Sequence, residues 1–293
     1  MVSERGWRTP AVVALFLAPS LIPLALFTLG PMAASLGLSF LHWDLLRPPR
    51  LVGLTNFANL LGDLEFRAAV GHTFFFIAGY LPLVYVGGLA LSLALNQKLR
   101  ASSFFRATYF LPVVTSWVVV ALVWKRLLNP QSGIVNFVLG LIGITGPGWW
   151  TDPAWAMPSI ILASAWKDLG FVMIILLAGL QAIPEDYYEA AAVDGAGRWA
   201  RFRHITLPLL SPASFFVLVI SLVNSFQVFD QVWVMTGGGP AGATSVVVEQ
   251  IVQHAFRYGQ MGYAAAMSWV LFVAILVITF AQFRLQRRWV NYA

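Results

Sequence analysis

Gln181-Ala-Ile-Pro184-Glu-Asp-Tyr-Tyr-Glu189-Ala-Ala-Ala-Val-Asp194-Gly-Ala-Gly197-Arg-Trp-Ala-Arg201-Phe-Arg-His-Ile205-Thr-Leu-Pro208-Leu-Leu-Ser-Pro212 lies between two strongly apolar runs. Pro184 followed by Glu185 and Asp186 predicts a helix start, because Pro is tolerated in a first turn and acids are favoured at its positive end. Glu189 to Val193 are good helix residues, and Gly195 and Gly197 predict its end in a left-handed cap. Arg198 to His204 begin a second short helix that runs to Pro208. The stretch therefore reads as helix, Gly turn, helix, parallel to a membrane surface. Ala190, Ala191 and Ala192 leave one side small, so that another backbone can approach closely. A connection of about 30 residues is long for a compact protein and implies a task beyond joining two helices.

Working outward, the flanking runs decide the class. Of 293 residues 59% are hydrophobic and 10% charged, and the mean hydropathy is +0.77. A soluble fold of this size has too much surface to hide so much apolar material. Disorder is excluded for the same reason. The absence of cysteine removes disulfide scaffolds, thiolate metal sites and thiol chemistry. A polytopic membrane protein remains. A spanning helix needs about 20 apolar residues. Suitable runs occur within Thr9–Leu41, Ala68–Gln97, Ala107–Trp124, Pro153–Pro184, Ile205–Phe229 and Tyr258–Phe283. They predict an all-α integral membrane protein of six transmembrane helices, near 11–38, 70–96, 105–126, 155–180, 212–236 and 260–283. The first run is too long for the apolar core of a signal peptide and reads as a signal anchor.

The net charge of +6 fits Lys and Arg enrichment of cytoplasmic loops better than nucleic-acid binding. The N-terminus, the Gln97–Arg106 loop, the Gln181–Ser211 loop and the C-terminus hold more Lys and Arg than the opposite set, which includes Arg47, Arg50, Arg67, Lys125, Arg126 and Arg257. Both termini are therefore expected in the cytoplasm. On the outer side, His42–Arg67 reads as short helices and turns. Leu127–Thr151 is broken by Asn129-Pro130 and Gly146-Pro147-Gly148, and Ile134–Ile142 is too short to cross, so an interfacial helix with a Trp anchor is expected there.

Glu189-Ala190-Ala191, then Asp194-Gly195, then Ile205, then Leu207-Pro208 resembles, position by position, the EAA signature of bacterial ABC importer permeases. Ile183-Pro184, Phe229-Asp230-Gln231-Val232-Trp233 and Thr236-Gly237-Gly238-Gly239-Pro240 extend the likeness to the carbohydrate-uptake subfamily, on the side of its first permease subunit, the maltose and glycerol-phosphate type. The organisation agrees over roughly residues 65 to 285, and more loosely before that. The resemblance implies the type I importer transmembrane fold. It implies residues 1–66 as N-terminus, first helix and outer loop, 67–285 as permease core and 286–293 as cytoplasmic tail. It places the chain in the bacterial inner membrane, in the lipid bilayer, multi-pass. The implied partners are a second homologous permease, an ATPase dimer that uses ATP and Mg, an extracytoplasmic solute-binding protein and a sugar. The loop would be the element that couples the ATPase to the membrane helices.

The chain has no nucleotide site of its own. A P-loop needs Lys after Gly, and Lys98, Lys125 and Lys167 do not follow one. No metal-ligand or hydrolase motif occurs, so an enzyme is not expected. Lys167 and Asp168 lie within a predicted span, where charges are functional candidates by default; they point about 100° apart and need not pair. Asn224, Ser225 and Gln227 with nearby aromatic rings suit a sugar, and equally suit interhelical hydrogen bonding. By the resemblance, Asn224, Ser225, Gln227 and Val228 fall on pore-facing positions, as do Trp166, Gly170 and Met173. Three rivals stay open: an ion-coupled secondary carrier, which leaves the EAA-like loop unexplained, a non-transporting membrane scaffold, which leaves the polar residues within the spans without purpose, and an importer permease for a non-sugar solute.

Overall fold

The structure, a computed structural model, describes residues 8–97 and 102–290. Arg5, Lys98 and Arg100, which contribute to the charge asymmetry, lie outside the described residues, as does the end of the C-terminal tail. Helix α1 (Arg8–Leu24) continues through a π turn at Ala25–Leu29 into α2 (Gly30–Ser39). Strand β1 (Leu41–His42) pairs antiparallel with β2 (Arg50–Leu51), and α3 (Thr55–Gly62) leads to the long α4 (Leu64–Leu95). Next come α5 (Ser102–Val114), α6 (Trp117–Leu127), the short α7 (Ile134–Leu141) and the long α8 (Pro153–Gln181). The polar connection is α9 (Glu185–Val193), α10 (Arg198–Arg201), a π turn and α11 (Leu207–Leu209). Then follow α12 (Ser211–Phe226), α13 (Asp230–Met235), α14 (Val247–Val252) and α15 (Met261–Gln286).

Among the described residues four helical stretches are long and apolar enough to cross a bilayer: Val12–Ser39, α4, α8 and α15. Two more qualify only as bent pairs, α5 with α6 at 101° and Arg198–Leu209 with α12 at 62°. The protein is thus a helical membrane protein with four to six candidate spans, rather than six straight ones. The expected third helix breaks at Thr115–Ser116, where Ser116 is extended (ψ 140°). Pro112, which lacks an amide hydrogen, sits just before that break. The expected helix 212–236 ends at Phe226 and restarts at Asp230.

By packing the chain forms two units, Met1–Gly62 with Ile251–Val270, and Asp63–Gln250 with Leu271–Ala293. In the first, the 42–67 region holds a strand ladder that the sequence reading did not anticipate. Buried Asn56 secures it, donating to the carbonyls of Ser39 (2.8 Å) and Leu41 (2.9 Å). The Met261 amide donates to the Trp43 carbonyl, and Gly262 packs so tightly on the Leu41 carbonyl that a Cβ would collide with it. No part of the most apolar window in Val12–Ser39 is buried. An all-round apolar, uncovered helix is a surface made for lipid.

The second unit is built on α4 and α8. Asp63 caps α4 through the amides of Glu65 and Phe66, and Asp152 caps α8 through Ala154, with Pro153 in the first turn. Lipid tails are as apolar as Leu, so helices in a membrane associate by close packing rather than by water exclusion. Gly79, Gly87 and Gly88 of α4 supply it, meeting Ile161, Leu169 and Val172 of α8. Phe76, Val84, Ile160, Val172 and Leu176 are almost completely buried at this seam. Polar bonds add register: Tyr85 donates to Ser214 of α12 (2.8 Å), and the Val247 amide donates to Thr73 (3.2 Å). Helix α7 stays exposed along Ile134, Phe137 and Leu141, while Trp149 donates to Asn136 (2.6 Å) and pins the loop beside it.

Candidate functional site

The break between α12 and α13 makes a cavity of about 410 Å³. The last turn of α12 tightens as the amides of Gln227 and Val228 donate to the carbonyls of Asn224 and Ser225. Phe229 then leaves helical geometry (φ −148°), and Asp230 opens α13, where a carboxylate suits the positive helix end. The wall is completed by Phe76 and Tyr80 from α4, Trp117 from α6 and Asp168 from α8, with Asn224, Ser225, Gln227, Val228, Phe229, Asp230 and Gln231 from the break.

Its hydrogen bonds are specific. Tyr80 donates to Asp168 (2.8 Å). Ser225 donates to the Ser221 carbonyl (2.6 Å), and the Gln231 amide to Ser164 (3.4 Å). Lys167, 5% exposed, turns the other way. Its ammonium donates to the Val113 carbonyl (3.0 Å), freed at the end of α5, and lies 4.7 Å from the Trp117 ring centroid. Neighbours on one helix thus serve different partners, as a 100° step requires. Lys125 does for α13 what Lys167 does for α5, donating to the Val234 carbonyl (3.1 Å) beside the Trp150 ring. Cations satisfying the last carbonyls of a helix complement its negative end. The C-terminal ends of α5 and α13 therefore each meet a lysine.

Asn224, Ser225, Gln227 and Val228 all meet at this cavity. Trp166, Gly170 and Met173 do not. Trp166 is half exposed, edge-on to Trp124. Gly170 faces the Tyr109 carbonyl of α5, and a Cβ there would overlap that carbonyl. Met173 is fully buried beside Leu95 and Leu177. The reason is rotational: with Asp168 toward the cavity, these three lie about 140–200° around the helix from it. Phe226 also points away, edge-on to Phe74. The sequence reading had not singled out Phe76, Tyr80 or Trp117. A phenol inside an apolar helix was the available signal for Tyr80, shared with Tyr85; nothing local marks the other two.

The second candidate is the polar connection. Among its residues α9 buries none. Glu189 and Ala190 are exposed and Ala191 half-buried. Asp194 caps α9 and Gly195 follows with φ +80°. The Ala196 amide returns to the Ala191 carbonyl (2.8 Å) and the Gly195 amide to the Ala192 carbonyl (3.1 Å), the Schellman pattern. A Cβ on Gly195 would touch nothing within 4 Å, so left-handed backbone rather than crowding calls for glycine. On the far side Ile205, Leu207 and Pro208 are half-buried and Thr206 buried, bonded to Tyr188 (3.1 Å). The loop is anchored through one limb while Glu189, Ala190, Val193 and Trp199 face outward.

Residues 86–291 match the family described as binding-protein-dependent transport system inner membrane component. The chain is 37% identical over 282 residues to a probable ABC transporter permease protein, YesP, of Bacillus subtilis strain 168, covering 94% of this chain and 91% of that one. It is 37% identical over 275 residues to the lactose transport system permease protein LacF of Rhizobium radiobacter, covering 92% of each. A chain in the crystal structure of a bacterial ABC transporter involved in the import of the acidic polysaccharide alginate matches with a TM-score of 0.85 at 27% identity, over 97% of this chain and 99% of that one. The cavity at the α12–α13 break, the exposed, anchored loop and these likenesses agree: the chain belongs to the binding-protein-dependent transport system inner membrane components, and is a multi-pass inner-membrane permease subunit of an ABC importer whose ATPase is a separate chain.

Proposed function

We propose that this permease passes a sugar or sugar derivative through the cavity at the α12–α13 break. In this reading an extracytoplasmic binding protein delivers the sugar, and a second, homologous permease completes the pathway. The observation that carries the reading is the cavity itself. It combines amides and hydroxyls with aromatic rings (Phe76, Trp117, Phe229), which suit sugar hydroxyls and the apolar faces of a sugar ring. Its volume falls within the range of small-molecule sites. Asn224, Ser225, Gln227 and Val228 are the substrate-pathway residues on this side. The lactose permease likeness supports a sugar cargo. The permease core would occupy residues 67–285, with both termini cytoplasmic.

On the cytoplasmic face, Glu189, Ala190, Ala191, Asp194 and Gly195 would dock on an ATPase dimer that binds ATP and Mg. Ile205, Leu207 and Pro208 would carry the motion inward. Exposure of α9 and anchoring of the other limb support this division of labour.

Reconstitution of the permease with its ATPase, second permease and binding protein tests the reading. Asn224→Ala and Gln227→Ala should each lower ATP-driven sugar uptake about fivefold or more, the effect of losing a hydrogen bond worth roughly 1 kcal/mol. Sugar affinity of the isolated binding protein and basal ATP hydrolysis should not change. Uptake driven by an ion gradient without ATP would replace this reading with a secondary carrier.

A further inference from the structure

The donors and acceptors of the cavity wall are unequally distributed. Among the described residues two carboxylates line it, Asp168 and Asp230, and no Lys or Arg does. The hydroxyl hydrogens on the wall are already used. Tyr80 gives its own to Asp168, and Ser225 to the Ser221 carbonyl. The Asn224 and Gln227 amides and the Trp117 indole are the side-chain donors left on the described wall. Lys167, the next residue to Asp168, is not among the lining residues; its ammonium is held at the Val113 carbonyl over the Trp117 ring. Even with Lys167 counted against Asp168, Asp230 leaves the wall acidic.

An ionised carboxylate is an acceptor only, whereas every sugar hydroxyl brings a donor. Hydroxyl-to-carboxylate bonds are charge-assisted and roughly twice as strong as neutral ones. A carboxylate, phosphate or sulfonate on the cargo offers no hydrogen to these groups and adds like charge in a poorly screened space. Specificity of this kind comes as much from repulsion of the wrong ligand as from attraction of the right one.

We propose that Asp168 and Asp230 make this cavity select a sugar that carries hydroxyls and no acidic group, and discriminate against uronates, sugar phosphates and sulfonated sugars. This rests on the sugar-permease reading and departs from the acidic cargo of the structurally similar alginate transporter.

The native chain has no cysteine, so Gln227→Cys puts a single thiol of this chain at the cavity. In the purified complex, its reaction rates with a cationic and an anionic methanethiosulfonate are compared, each divided by the reagent's rate with glutathione. The cationic reagent should be favoured by at least about tenfold, the size of focusing expected in a charged cleft. The bias should collapse in Asp168→Asn/Asp230→Asn, and fall partly in Asp230→Asn alone should the double variant not assemble. No bias, or a bias indifferent to these changes, overturns the proposal.

A parallel measurement follows uptake of maltose, lactose and digalacturonate by the reconstituted complex. Preference for a neutral sugar, narrowed by Asp168→Asn/Asp230→Asn, supports the proposal. Preferential uptake of digalacturonate overturns it. A thiol bias with none of these sugars moved sinks the sugar reading and leaves the charge selection standing; sugar uptake without bias does the reverse.

Discussion

One methyl group separates two glycines of very different consequence. Gly170 of α8 faces the Tyr109 carbonyl of α5 with no room for a Cβ, whereas a Cβ on Gly71 of α4 meets nothing within 4 Å. Backbone cannot step aside as a side-chain tip can, so Gly170→Ala must push α5 away from α8. Overpacking of this kind costs about 1–3 kcal/mol or more, while Gly71→Ala removes a helix-interior glycine worth about 1 kcal/mol. Gly170→Ala should lower the melting temperature of the detergent-purified permease, and Gly71→Ala should match or exceed the native value. Equal behaviour of the two would mean that α5 does not lie where the structure has it. In the structure Gly170 is a close-packing position against α5. Any transport defect at Gly170 should therefore accompany lost stability rather than altered sugar selectivity.

The elements differ in what holds them. Helix α9 has no buried residue, and its link to the rest of the loop is the Gly195 turn and the Tyr188–Thr206 bond. A non-glycine residue in left-handed backbone costs roughly 1–2 kcal/mol. Gly195→Asp adds that cost and a charge at the surface proposed to meet the ATPase. Glu189→Lys reverses a charge there without touching the fold. Both variants should insert in the membrane at native yield, retain less ATPase on affinity purification and lose uptake. Normal transport by both would remove α9 from the coupling role. Helices α5 and α13, by contrast, end on buried or half-buried lysines. There the cation caps the last turn.

For the whole molecule the controlling quantity is orientation. Arg198, Arg201 and Arg203 sit on the loop proposed to face the cytoplasm, and Arg50 lies in the β1–β2 ladder on the expected outer side. Cysteines introduced singly at Arg201 and Arg50 into this cysteine-free chain give a direct measure. In intact cells, an impermeant thiol reagent should label the Arg50→Cys protein and spare the Arg201→Cys protein until the membrane is opened. Labelling of Arg201→Cys from outside would invert the topology and detach the loop from any cytoplasmic ATPase.

Membrane class, the approximate helices and the loop were legible in the residues, because each rests on short-range information. Hydropathy over about 20 residues marks a span. Pro184, Glu185, Gly195 and Gly197 write the helix, turn and helix of the loop in local backbone preference. Asn224, Ser225 and Gln227 likewise stand out as a polar group in an apolar run, whereas Val228 comes only from the resemblance. The two helix breaks did not. Thr115–Ser116 and Gln227–Phe229 contain no glycine or proline. At the first break a distant residue, Lys167, satisfies a carbonyl freed at the end of α5. The same distance hid the other half of the cavity. Tyr80 reaches Asp168 from 88 positions away, and the rotation of α8 that turns Asp168 inward sends Trp166, Gly170 and Met173 elsewhere. Local sequence determines which segments are helices. Only packing between helices decides where a buried polar group finds its partner, since in the membrane interior water cannot take that place.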